Sequence, residues 1–492
     1  MTSTISDTAL QGVIDDLQNR PGTGETIRVI NPVTEEQIAE FTDCGKEAVD
    51  EAVARAKAAY EAGVWAGLPG RERAKVMWRI ADLIEEHAEE LAQLDSLNTG
   101  MPLMQSRLIV PTSAEFFRYY AGWCSKLNGT AYDIKTTGIA TDTYVDMHAY
   151  TLKEPYGVVG LIFPWNGPIF NYCAKLAPAL AAGCSSVVKP AEETPLSAVL
   201  LDRLIRQAGV PDGVVNLLTG YGHTAGAAIT AHPDVEKVAF TGSTEVGKMI
   251  VAASAGNLKK VMLELGGKSP VLIYDDADLN MAVMMAAMGI FVHSGQGCVC
   301  GSRIFVQRGV YDQVVEGIAM MANTIKLGGP EEEGCLSGPL ISEKQLTRVL
   351  GYIDEGKSDG VEVVAGGHRL DRAGYFVHPT VLTNVDPSTS RLYKEEIFGP
   401  VVPIIPFDDD DEAVAMANDT TYGLAATAWT TNLSRAHTLA KRLQAGTVSL
   451  NCQLVFDHDV PFGGYKQSGW GHEFGRDGVD AYMKQKSVWA QL

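Results

Sequence analysis

Between Gly157 and Glu264 the chain alternates short apolar runs with stretches of helical period. Val158-Val159-Gly160-Leu161-Ile162, Ser186-Val187-Val188, Val214-Val215-Asn216-Leu217 and Val238-Ala239-Phe240 are strand-like. Helical segments near 194–208, 223–231 and 244–254 separate them. Runs of this kind, apolar throughout rather than in alternation, predict strands covered on both faces and joined by helical crossovers: a parallel sheet, the usual platform for a dinucleotide. A second such series runs from Pro270 to about Leu450, with Val271-Leu272-Ile273, Ile304-Phe305-Val306 and Thr447-Val448-Ser449-Leu450 as strands. Two α/β units are predicted, with a substrate cleft where they meet.

Ahead of them, residues 46–62 and 71–95 read as two helices parted by Pro69-Gly70. In the second, Ala74, Met77, Ile80, Ile84, Ala88 and Leu91 form one apolar stripe. Residues 130–155 change character. Thr141-Asp142-Thr143-Tyr144-Val145-Asp146-Met147 alternates, which predicts a β-hairpin. The run Met281 to Val292 is too short to span a bilayer and reads as a buried helix, and no membrane partner is expected.

Composition narrows the function. The chain has 492 residues and a formal charge of −20, so nucleic acid and anionic lipid are poor partners. Met1 to Leu17 lacks the basic start and apolar core of a secretory signal. The 8 cysteines are scattered, which favours a reducing cytoplasm over a disulfide framework. Cys298-Val299-Cys300 has no second Cys or His pair at ligand spacing, so no metal site is expected.

Thiol chemistry requires a thiolate, an oxyanion stabiliser and, for hydrolysis, a base. Ser294-Gly295-Gln296-Gly297-Cys298 sets a cysteine among small residues after an apolar helix. Taken alone such a cysteine is usually a small buried hydrophobe, the reading kept for Cys300. Glu264, in Leu263-Glu264-Leu265-Gly266-Gly267-Lys268, has the apolar company that raises a carboxyl toward the range of a general base. Asn166, in Phe163-Pro164-Trp165-Asn166, follows a buried strand, where an amide can serve an oxyanion as readily as form a turn. Gly242 to Gly247 follows a strand and opens a helix, so Gly242, Ser243 and Gly247 suit a pyrophosphate.

These segments, together with Lys189-Pro190-Ala191-Glu192, Glu395-Glu396-Ile397-Phe398-Gly399-Pro400 and Pro461-Phe462-Gly463-Gly464, closely resemble those of the aldehyde dehydrogenase superfamily, in the family's order. The resemblance runs from about residue 25 to the end. It implies two doubly wound parallel-sheet α/β domains, a Rossmann-like cofactor domain and a catalytic domain, plus a small β oligomerisation element. The implied limits are 1–129 and 156–263, then 264–472, with 130–155 and 473–492 for association as a homodimer or homotetramer.

The implied activity is oxidation of a small-molecule aldehyde to its acid with NAD, through a thiohemiacetal and thioester on Cys298. Asn166 and the Cys298 N–H would stabilise the oxyanion, and Glu264 would activate water. Lys189 and Glu192 would hold the adenine ribose, with Glu192 repelling a 2′-phosphate and so disfavouring NADP. Glu396 and Phe398 would hold the nicotinamide ribose, and Trp165 would pack near the cofactor. Gly167 and His472 depart from many relatives, which carry Phe and Arg there. Small Gly167 and Ala174, with Phe170, Asn171, Phe456 and Phe462, suggest a roomy mouth for aromatic or medium-chain aldehydes. A CoA-acylating dehydrogenase, a cofactor-free thiol hydrolase and a non-catalytic relative are the alternatives; Glu264 argues against the first, the cofactor segments against the second, and Cys298, Glu264 and Asn166 together against the third.

Overall fold

A computed structural model describes residues 6–137 and 142–491. The turn of the expected hairpin (138–141, including Thr141), residues 1–5 of the first expected unit and Leu492 lie outside the described residues.

The first alternating series forms a six-stranded sheet. Its order is Gly469–Trp470, Lys260–Glu264, Val235–Thr241, Val158–Ile162, Ser185–Lys189 and Val215–Leu217. All neighbours run parallel except Gly469–Trp470, which lies antiparallel to Lys260–Glu264. Val158–Ile162 and Ser185–Lys189 are buried at every position, as a sheet covered on both faces requires. From Val158–Ile162 the chain builds outward on one side, then crosses to Val235–Thr241 on the other. The strand order therefore reverses between these two, and their carboxyl ends frame the crevice where open α/β sheets take ligands. Asn166 leaves one of those ends and Gly242 the other.

The second series forms a seven-stranded sheet. Its order is Glu362–Ala365, Thr380–Thr383, Val401–Phe407, Arg303–Gln307, Pro270–Ile273, Ala425–Trp429 and Thr447–Leu450, parallel except for the first pair. Tyr144–Pro155 pairs antiparallel with Ala131–Thr137 as expected, and Met483–Gln491 adds a third strand on its other edge.

Three local readings change. Gly469–Trp470 falls within the expected 264–472 unit, yet it edges the six-stranded sheet. A Cβ on Gly469 would meet the Leu263 carbonyl oxygen at 2.6 Å, so this approach needs glycine. The helix expected over 71–95 is two, Gly70–Glu86 and Ala88–Thr99, because His87 leaves helical geometry at φ −108, ψ 20. After that break the apolar stripe gives way to buried polar residues, Asp95, Ser96, Asn98 and Thr99. The run read as a buried helix is Leu279–Phe291, capped by Asp278, but Met281 and Met284 on it face solvent. Among the described residues no helix is long and apolar enough to cross a membrane.

Candidate active site

The segment before Cys298 is under backbone strain. His293, Ser294 and Gly295 take φ of 54, 54 and 67 in succession, and left-handed residues with a Cβ are disfavoured by about 1–2 kcal/mol each. Ser294 is held by hydrogen bonds from its hydroxyl to the Gly338 carbonyl and with Ser337. At Gly295 a Cβ would stand 2.2 Å from the Gly399 carbonyl oxygen. Gln296 ties the loop down further: its Nε2 donates to the carbonyls of His293 and Pro339, and its Oε1 accepts from the Ile341 N–H. Cys298 thus stands half-buried at the end of a stiffened loop. Its thiol is pushed far above the usual range, first by burial, then by the Glu396 and Glu264 carboxylates. Attack proceeds through the thiolate, so such a thiol needs a proton acceptor.

Asn166 meets this loop. Its Nδ2 donates to the Gln296 carbonyl at 2.8 Å, which fixes the amide and leaves its second hydrogen free. Glu264 ends the strand Lys260–Glu264, and neither of its carboxylate oxygens has a protein partner. Burial, then the Glu473 carboxylate, pushes this carboxyl well up, while Lys175 opposes the shift. Lys175 and Glu473 pair at 2.5 Å in the interior. The sequence reading missed both. Lys175 stood in an apolar helical stretch, where a lone lysine whose head cannot reach water signals a distant acidic partner.

Among the expected cofactor residues, Lys189 ends one strand of the six-stranded sheet and Gly242 follows another. Ser243 caps the helix Thr244–Ser254, accepting from the Val246 N–H at 3.3 Å. Cβ atoms on Gly242 and Gly247 would lie 2.4 Å from Phe240 Cζ and 2.7 Å from Leu265 Cδ2, so a side chain at either position would have to displace a packed neighbour. Lys189 Nζ donates to Glu192 Oε2 at 3.2 Å, and the Gly222 N–H meets Glu192 Oε1 at 3.4 Å. Glu396 Oε1 accepts from the Gly267 N–H at 2.8 Å, and burial pushes its carboxyl up to about 7. Phe398 (φ 60) meets Trp165 edge to face at 5.4 Å. A glycine turn at a helix start, one acidic group by a lysine and a second carboxylate beyond fit a dinucleotide laid across the sheet.

Phe170, on the helix Pro168–Ala182 that follows Asn166, belongs to an aromatic cluster. Phe116 contacts Phe170, His458 and Phe474, and Phe474 contacts Phe170 and Phe462. Phe456 extends the chain of rings to the surface, 5.9 Å from Phe462. Asn171 is turned back, its Nδ2 donating to the Gly167 carbonyl at 2.9 Å. The sequence reading named Phe170, Phe456 and Phe462 and missed Phe116, His458 and Phe474.

Comparison with known proteins agrees over the whole chain. A sequence profile described as the aldehyde dehydrogenase family matches residues 20–488. Aldehyde dehydrogenase family 2 member C4 of Arabidopsis thaliana is 44% identical over 467 residues, covering 94% of this chain and 91% of its own. Aldehyde dehydrogenase, cytosolic 1 of Rattus norvegicus is 44% identical over 468 residues, covering 94% and 91%. The solved structure of a Bacillus cereus aldehyde dehydrogenase in its NAD+ complex superposes with TM-score 0.93 at 44% identity, covering 100% of both chains.

Proposed function

The chain belongs to the aldehyde dehydrogenase family, an NAD-dependent aldehyde oxidoreductase, and we propose that Cys298 is its nucleophile, Asn166 its oxyanion donor and Glu264 its base. The observation that carries this reading is the Asn166 amide docked on the Cys298 loop beside the partnerless carboxyl of Glu264.

The sulfur of Cys298 adds to the aldehyde carbon, its proton passing to Glu264 and from there to solvent before the hydrolytic step, and the oxyanion is met by the free Asn166 N–H and the Cys298 backbone N–H. Bound NAD supplies the hydride acceptor that turns the thiohemiacetal into a thioester. Glu264 then takes a proton from water as it attacks the thioester carbon, releasing the acid and the thiol. Gly242, Ser243 and Gly247 receive the pyrophosphate, Lys189 and Glu192 the adenine ribose, and Glu396 and Phe398 the nicotinamide ribose, with Trp165 packing alongside. Glu192 sets the preference for NAD over NADP.

The aromatic cluster, opened by Gly167 and Ala174, takes aromatic or medium-chain aldehydes against Phe170, Phe456 and Phe462, with Asn171 at the entry. The residues 1–129 and 156–263 form the cofactor domain and 264–472 the catalytic domain, less the strand at 469–470. The sheet of 130–155 and the tail form the association element of a homodimer or homotetramer, a role supported by exposed Tyr132, Leu152 and Trp489 on it. The eight free cysteines suit the cytoplasm.

The test follows NADH absorbance over acetaldehyde, hexanal and benzaldehyde, with and without CoA. The reading predicts CoA-independent acid formation, abolished in Cys298→Ala, with acetaldehyde the poorest substrate by kcat/KM. A fully active Cys298→Ala sinks the assignment of the nucleophile, and equal kcat/KM for acetaldehyde and benzaldehyde sinks the substrate preference.

A further inference from the structure

The chain passes from the six-stranded sheet to the seven-stranded sheet over Leu265 to Ser269, between the strands Lys260–Glu264 and Pro270–Ile273. This passage lies hard against the site. A Cβ on Gly266 would stand 2.4 Å from Glu396 Oε2, and one on Gly267 would stand 2.3 Å from the Cys298 carbonyl oxygen. Two glycines in a row let the backbone fit there, but a peptide between glycines is also the one most free to rotate. Its orientation has to be set from outside.

The peptide unit joining Gly266 to Gly267 is held on both sides. Its N–H donates to Glu396 Oε1 at 2.8 Å, the one hydrogen bond that this carboxyl accepts among the described residues. Its C=O accepts from the Ser468 hydroxyl at 2.7 Å, and Ser468 Oγ accepts in turn from the Gly423 N–H at 2.8 Å. The donors therefore point one way along the row, from Gly423 through Ser468 and the peptide to Glu396, an order in which each dipole strengthens the next. Ser468 is 0% exposed, so solvent does not compete for its hydroxyl. Its backbone is fixed independently: the Ser468 carbonyl accepts from the Leu265 N–H at 2.7 Å, and its N–H donates to the Tyr465 carbonyl at 3.0 Å. Loss of the hydroxyl alone would free the peptide to tilt while these backbone bonds stay.

We propose that Ser468 is a positioning residue for Glu396: its hydroxyl sets the Gly266–Gly267 peptide, whose N–H in turn aims the Glu396 carboxyl at the cofactor. The proposal rests on the role given to Glu396 above, the hold on the nicotinamide ribose. Without the hydroxyl the carboxyl loses its fixed donor, the ribose is held loosely, and hydride transfer slows. A serine needed only for stability would lower the melting temperature, and its effect on rate would not depend on the presence of Glu396.

The experiment is a double-mutant cycle on the full chain, well below its melting temperature, with Ser468→Ala, Glu396→Ala and the two combined. It is read as kcat/KM for NAD with the aldehyde of the panel above that reacts best. The same aldehyde deuterated at its carbonyl carbon gives the primary isotope effect on kcat, which reports the hydride step. Ser468→Ala should lower kcat/KM for NAD about tenfold and raise the isotope effect. Added to Glu396→Ala, it should cause a further loss of at most about twofold, because the group it acts through is gone. The proposal is overturned if Ser468→Ala stays within about twofold of wild type, or if the two losses multiply in the combined variant. An unchanged isotope effect also overturns it, since the hydroxyl would then act on another step. Should Ser468→Ala not fold, Ser468→Cys, which keeps the size but donates and accepts weakly, takes its place under the same criteria. Wild-type kcat/KM for NAD in Glu396→Ala would instead remove the reading of Glu396, and this proposal with it.

Discussion

Lys175 and Glu473, 298 residues apart in the chain, form an interior ion pair at 2.5 Å behind the partnerless carboxyl of Glu264. The pair tunes that carboxyl in opposite senses: Glu473 raises it and Lys175 lowers it. A general base works when deprotonated, so with Glu264 in the proposed role the rising limb of kcat against pH should follow its pKa. Glu473→Gln removes the raising charge and should shift that limb to lower pH. Lys175→Met removes the lowering charge and should shift it to higher pH. Each also leaves one buried charge alone, at a cost of about 3–5 kcal/mol, so melting temperatures should fall in both. Limbs that do not move, or move the same way, would contradict the assignment of Glu264.

Glu264→Gln should lower kcat by roughly 10²- to 10⁴-fold, the usual share of a general base. Rapid-quench analysis should show whether acyl-enzyme on Cys298 builds up. A variant with undiminished kcat would exclude Glu264 as the group that activates water.

For Asn166→Ala the expected loss of kcat is about 10²- to 10³-fold, with KM for NAD little changed, because an oxyanion donor acts on the transition state. The amide also braces Gln296, so Asn166→Asp, which keeps size but puts a carboxylate near the oxyanion, should be no better. A variant of either kind with wild-type kcat would refute the role.

On the proposed reading, coenzyme choice turns on Glu192. Its exchange for Gln should raise KM for NAD and increase the ratio of NADP to NAD use by about tenfold, read from kcat/KM with each coenzyme. An unchanged ratio would mean that 2′-phosphate is excluded by other groups.

Gly295→Ala tests the strained loop. The left-handed φ of 67 alone disfavours a side chain by about 1–2 kcal/mol, and the Gly399 carbonyl stands in the way at 2.2 Å. The variant should melt lower and lose activity together with reactivity of Cys298 toward iodoacetamide. Full retention of both would show that the loop tolerates displacement.

Much of this architecture was legible along the chain because fully buried strands leave unbroken apolar runs. Val158–Ile162, buried at every position, agrees with its sequence signal to the residue, as do the half-buried strand Thr447–Leu450 and the helix Thr244–Ser254. Illegible was whatever depends on a partner far away. Nothing local marks Met483–Gln491 as the third strand of a sheet begun at Ala131, or Gly469–Trp470 as the edge beside Lys260–Glu264. The helix break at His87 escaped notice because the stripe continues across it for one turn, and only groups far along the chain, Ser197 for Asp95 and Leu196 with Glu193 for Asn98, give these two a reason to be polar. Cys298, Glu264 and Asn166 stood out as segments in a familiar order rather than by any single residue's surroundings. Lys175, Glu473 and Phe474 belong to no such local segment.

The pairing of Lys175 with Glu473 also bears on how the chain is made. Ribosomes add about 5–20 residues per second, so Lys175 emerges roughly 15–60 s before the carboxylate it needs, 298 residues later. Through that interval the nascent cofactor half carries an interior lysine without its counter-charge and a base-bearing strand with a bare edge, since Gly469–Trp470 also comes late. The part of the six-stranded sheet that is translated first thus waits for both its edge strand and the counter-charge of its interior lysine.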